Sequence, residues 1–186
     1  MRSGLTAVLA VGWTVAALLL SGAPAGAVGG HHARRPPVRR APRAVVLDGA
    51  RLRQIGIRLH DGDRRLTATL GGLTAQADDW LTKGPWSVTD KPQTPPGGDK
   101  HDYLSQAPYG WPTRPKTADN PWGCPYVQKD GVRNPDVDTI TDHDGRGQMF
   151  NAVYTLSLAW YYTGRAAYAE HAAEILRTWF LDRPRR

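Results

Sequence analysis

"RGQMFNAVYTLSLAWYYTG", Arg146 to Gly164, runs directly into "RAAYAEHAAEILRTWFL", Arg165 to Leu181, and the pair decides the fold class. In the first run Met149, Val153, Leu156 and Trp160 step by four, three and four, which is the repeat of one helix face. Gly164 stops it, because a helix end readily accepts glycine in a left-handed conformation. In the second run Tyr168, Ala172, Ile175, Leu176, Trp179 and Phe180 again share a face. Two amphipathic helices joined at one glycine predict an αα-hairpin.

The same grammar holds near the start. Asp48 can cap a helix over "GARLRQIGIRL", with Leu52, Ile55 and Leu59 in one stripe. Asp63 can cap a second, in which Leu66, Leu70, Leu73, Ala77, Trp80 and Leu81 follow helical spacing. Gly71 and Gly72 weaken it by about 1 kcal/mol each relative to alanine. Lys83 and Gly84 then suit a helix end. No convincing strand pair is visible, so the expected class is all-α.

Between Pro85 and about Asp144 the periodicity vanishes. The stretch holds "GDKHDYLSQAPYGWP", Gly98 to Pro112, which is too broken by proline for a helix and has no aliphatic run for a core. A loop this long inside a compact domain is functional or disordered, and its Trp and Tyr content argues against disorder.

The ends read differently. Met1 to Ala27 fits a secretory signal peptide: Arg2, an apolar run, and Ala25-Gly26-Ala27 as the cleavage pattern. Val28 to Arg43 reads as a basic, disordered linker. The body, residues 44–186, is the expected domain. The net charge of +7 misleads, because nine of the 24 basic residues lie in the two ends. From Ala44 to Asp182 the chain carries 15 basic and 17 acidic side chains, so no nucleic-acid partner is implied. Cys124 is the only cysteine, which excludes an internal disulfide. The expected location is secreted or periplasmic, with no membrane attachment once the signal is removed.

The loop composition suits a sugar polymer. Tyr103, Tyr109, Trp111 and Tyr126 can stack on pyranose faces, while Lys100, His101, Lys129 and Arg133 can meet negative charge. His101 lies close to Tyr103, and a His with a Tyr can serve proton transfer. Asp142-His143-Asp144 reads as a helix cap and loop rather than a metal cluster. His31-His32 falls in the linker, and His171 is expected on a helix surface. There is no phosphate loop, nucleophile elbow, HExxH or CxxC, so neither metal nor cofactor is expected.

"GPWSVTDK" (Gly84 to Lys91), "GDKHDYLSQAPYGWP", "PYVQKDGVRNPD" (Pro125 to Asp136) and "YYTGRAAYAEHAAEILRTWFLD" (Tyr161 to Asp182) stand in the order seen in the alginate lyase domain family, which the chain resembles from about Val45 to Asp182. The resemblance implies a bacterial polysaccharide lyase with an α/α toroid of helical hairpins, here a partial one with one long aromatic-rich loop. It implies β-elimination on polyuronates such as alginate. The carboxylate is neutralised, a base removes the C5 proton, an acid protonates the leaving O4, and the product carries a C4–C5 double bond. The loop would then cover the cleft, with Lys100, His101, Tyr103, Tyr109, Trp111 and Arg133 as substrate-binding residues.

The chain departs from the family where Gly97 replaces a usual serine and Gly110 a usual aromatic. It also departs at its end, Arg183-Pro184-Arg185-Arg186. The family's Asn-His motif and later Arg and Tyr have no counterpart, so no catalytic residue is assigned. The expectation is an inactive, truncated N-terminal portion that leaves an apolar surface open. Two other readings stay open: a non-catalytic polyuronate-binding module, and a helical-repeat interaction protein.

Overall fold

Asp48 and Asp63 both act as helix caps. The Asp48 carboxylate accepts from the Ala50 and Arg51 amides and opens α1, Gly49–His60. Asp63 accepts from the Leu66 amide and opens α2, Arg64–Trp80. Satisfying these otherwise unpaired N–H groups stabilises each helix start by about 1 kcal/mol. In this computed structural model residues 35–181 are described. The expected signal segment, the start of the linker and the basic ending lie outside the described residues.

The second hairpin is α3, Asp142–Thr163, and α4, Ala166–Leu181. Gly164 closes α3 at φ 76° and donates to the Trp160 carbonyl at 2.8 Å, the left-handed cap that glycine adopts without a Cβ penalty. α3 is the central helix and packs against α2 and α4. Its buried residues therefore spread beyond one stripe: Met149, Ala152, Thr155, Leu156 and Ala159, then Tyr161 and Tyr162. Ala77, Tyr168, Ala172 and Ile175 complete the main core, flanked by Leu73, Trp80, Trp86 and Trp179. A second cluster joins Leu59 of α1 to Tyr161 and Tyr162.

Residues 35–47 form no helix or strand, yet they lie on the helices. The Arg39 guanidinium stacks 4.2 Å over the Trp160 ring. His60 Nδ1 is 3.0 Å from the Pro36 carbonyl, and the Tyr161 hydroxyl donates to the Arg40 carbonyl. Beside this segment an apolar groove of about 570 Å³ is lined by Leu47, Leu52, Phe150, Tyr154 and Leu176, among others. Phe150, Tyr154, Phe180 and Leu181 are more than half exposed.

His171 is less of a surface residue than its helix position suggests. Its side chain is 14% exposed and bridges Glu174 and the Lys83 carbonyl, which ties α4 to the end of α2.

The expectation of no strand pair is corrected by the structure. β1, Gly110–Pro112, pairs antiparallel with β2, Tyr126–Gln128. Strands of three residues carry no usable alternation, and Pro112 and Pro125 at the pair's edge disguise it further. Backbone bonds extend the ladder at both ends, from Thr113 to Pro125 and from Lys129 to Tyr109, each 2.9 Å. The described fold is thus mainly α, with one ordered loop built around a short hairpin.

Candidate functional site

The loop has little local periodicity, and buried polar groups hold it instead. A single helical turn, Val88–Asp90, is closed by a reciprocal cap between Ser87 and Asp90. This delivers Lys91, which is fully buried, to Asp142 at the start of α3, where Nζ and Oδ2 are 2.9 Å apart. Lys91 also donates to the Val88 and Lys100 carbonyls. Asp142 in turn accepts from the Leu104 amide at 2.8 Å. One ion pair therefore fixes both ends of the segment 91–104 to α3, with its remaining valences satisfied as burial requires. The cap-and-loop reading of Asp142 is corrected: it lies in the first helical turn and is 2% exposed.

A second anchor is Asn134, 1% exposed. Its Nδ2 donates to the Gly110 carbonyl at 2.8 Å, its Oδ1 accepts from the Asp136 amide, and its own amide donates to Pro108. It joins β1 to the short 3-10 helix Pro135–Thr139.

These anchors place the six expected binding residues in two groups. Around the Lys91–Asp142 pair lie Lys100, His101 and Tyr103. Lys100 Nζ donates to the Lys91 carbonyl at 2.9 Å. His101 Nδ1 is 2.8 Å from Asp99 Oδ1. The His101 amide, and then its ring, hold the Asp99 carboxyl below the ordinary carboxylate range. Nδ1–H facing Asp99 leaves Nε2 as the basic nitrogen, but Nε2 is covered and has no partner. No hydrogen bond joins His101 to Tyr103; the Tyr103 ring instead lies 5.5 Å from the Arg146 guanidinium.

Around the hairpin lie Tyr109, Trp111 and Arg133. The Trp111 indole donates to the Val132 carbonyl at 2.9 Å, and Lys129 Nζ sits 4.8 Å over its ring. Arg133 grips Asp138 with two bonds of 2.7 and 2.6 Å. That pairing raises the guanidinium and lowers the carboxyl from their ordinary values. Its charge is shared with Asp138 before any polymer arrives. Lys129 and Arg146 have no carboxylate partner among the described residues, and both face an aromatic ring.

None of the six lines the loop's main cavity. That space, about 490 Å³, is walled by Leu104, Gln106, Gly110, Trp122, Tyr126 and Gln128 with others. Trp122 was missed in the sequence; its signal is an aromatic in the same aperiodic stretch as Trp111. The two glycines that depart from the family both sit in tight places. A Cβ on Gly97 would collide with Asp102 Oδ2, and one on Gly110 would be 3.3 Å from both the Ala107 carbonyl and the Tyr126 ring. Among the described residues no group of His, Cys, Asp or Glu is placed to hold a metal ion.

No curated protein matches the chain. It is similar to a crystal structure of an alginate lyase from Bacteroides ovatus, at 39% identity and a TM-score of 0.57. The alignment covers 72% of this chain and 33% of that one, so the chain spans about a third of that enzyme's length. The family model for alginate lyase matches residues 87–186, more than half of the 186 residues. The matched span holds the Lys91–Asp142 anchor, the hairpin and all of α3 and α4: the chain belongs to the alginate lyase family.

Proposed function

We propose that this chain engages acidic uronate polymers through its long loop, as the recognition part of an exported polysaccharide lyase of the α/α-toroid type. The observation that carries the reading is the pairing of cations that have no carboxylate partner among the described residues with aromatic faces, Lys129 on Trp111 and Arg146 on Tyr103. A uronate presents both chemistries at once: an apolar C–H face for the ring and a carboxylate for the cation. The remaining expected residues, Lys100, His101, Tyr109 and Arg133, position the loop around these pairs. The α1–α2 and α3–α4 hairpins would be two units of the toroid.

Elimination asks for more than recognition. It needs a neutralised carboxylate, a base and an acid held at one place. His101, oriented by Asp99, is the base type at hand, but its free nitrogen is covered and no tyrosine hydroxyl bonds to it. The chain alone therefore binds without turning substrate over.

Calorimetric titration with alginate oligomers tests the reading. Lys129→Ala and Arg146→Ala should each weaken binding about tenfold, or 1.4 kcal/mol, and more so at low salt. Affinity unchanged in both variants would remove the observation on which the proposal stands. Export implies a mature amino terminus at Val28, which sequencing of secreted protein reads directly. Among the described residues no helix is long and apolar enough to cross a membrane.

A further inference from the structure

The face of the hairpin turned away from Trp111 carries a different chemistry. Side chains alternate along a strand, and the register pairs Gly110 with Gln128 and Pro112 with Tyr126. Gly110, Tyr126 and Gln128 therefore share one face and wall the cavity of about 490 Å³, together with Val127 from the Trp111 face. A Cβ at Gly110 would already be 3.3 Å from the Tyr126 ring, so the glycine keeps this space open. None of the described residues lining it is charged; its polar side chains are Ser105, Gln106, Gln128 and the phenol of Tyr126, with the thiol of Cys124.

Gln106, Trp122 and Ile140 also wall an adjoining cavity of about 360 Å³. There the two charged residues cancel, Lys116 Nζ lying 2.8 Å from Asp136 Oδ2. Gln93, on the same wall, leaves Oε1 buried without a partner while its Nε2 donates to Thr139.

We infer that these two cavities, with Trp122 between them, form a subsite for successive uncharged sugar units. This deepens the polysaccharide reading above and rests on it. An indole and a phenol offer faces for apolar C–H surfaces, and the amides of Gln106 and Gln128 serve hydroxyls as donor and acceptor. A carboxylate finds no unpaired cation there and would be desolvated without compensation. The loop thus sorts its ligand: uronates at the cation–aromatic pairs, neutral hexoses in the cavities.

The test uses cellotriose, mannotriose and an alginate trimer, with the indole N–H resonance of Trp122 as reporter on the full chain. That resonance is assigned by its loss in Trp122→Ala. A neutral trisaccharide should shift it, and Trp122→Ala should weaken that ligand's binding about tenfold. Trp122→Tyr should restore most of the affinity. Gln128→Ala, at an exposed strand position, should weaken binding with the fold unchanged. An alginate trimer should shift the Trp111 resonance in preference. Neutral sugars that leave Trp122 unmoved, or bind equally to Trp122→Ala and Gln128→Ala, would overturn the inference. So would an alginate trimer that shifts Trp122 as strongly as cellotriose. Loss of alginate binding in Lys129→Ala with cellotriose shifts intact would bear on the uronate sites alone.

Discussion

Lys91 Nζ lies 2.9 Å from Asp142 Oδ2, with the two side chains 0% and 2% exposed. The pair spans the gap between an aperiodic loop and the first turn of the central helix, where a carboxylate also suits the helix dipole. Removing one partner leaves the other buried and uncompensated, which costs about 3–5 kcal/mol. Lys91→Met and Asp142→Asn should each lower stability by that amount in urea unfolding. Proteolysis should strike first between residues 91 and 104. The double variant Lys91→Met with Asp142→Leu should recover part of the loss, since no lone charge remains.

Tyr168 joins α4 to α2. Its ring is in the main core and its hydroxyl donates to Asp78 Oδ1 at 2.8 Å, while Arg165 also bonds to both. Burial, and then the bond to Asp78, push the phenol's pKa up. Tyr168→Phe should cost about 1 kcal/mol, the net worth of one hydrogen bond. Tyr168→Ala should cost about 3–5 kcal/mol because it also empties the core. Thermal unfolding of the two variants separates ring from hydroxyl.

Acid should loosen the α1–α2 junction. The Leu66 amide and the Arg58 side chain hold the Asp63 carboxyl below its ordinary value of 3.8. A carboxyl lowered in the folded state adds stability that is present above the unfolded value and lost as pH falls through the folded one. Stability should thus fall as pH drops below 3.8. Asp63→Asn keeps a capping side chain and should flatten this dependence. A stability-versus-pH series on both proteins checks it.

Local chemistry made the helices legible. Asp48 and Asp63 announce starts, Gly164 announces a stop, and the Leu66-to-Trp80 stripe follows one face. The loop resisted because its order comes from partners distant in sequence. Nothing near Lys91 points to Asp142, and nothing near Asn134 points to the Gly110 carbonyl. The hairpin stayed hidden because its three-residue strands end beside prolines. His101 stood out as a candidate for proton transfer, but the expected neighbour Tyr103 pairs with Arg146 and Asp99 takes the imidazole. Arg133 looked free to meet a polymer, yet Asp138, five residues on, already holds it. The aromatic loop is legible in the sequence; which of its charges are already paired is not.

The most direct test incubates the purified chain with alginate and follows both binding and the ultraviolet absorbance of the C4–C5 unsaturated product. Saturable binding is expected, weakened about tenfold by Lys129→Ala and by Trp111→Ala, with helical content unchanged and no growth of product absorbance. Steady product formation that His101→Ala abolishes would contradict it, and would make the His101–Asp99 pair the working base of the loop.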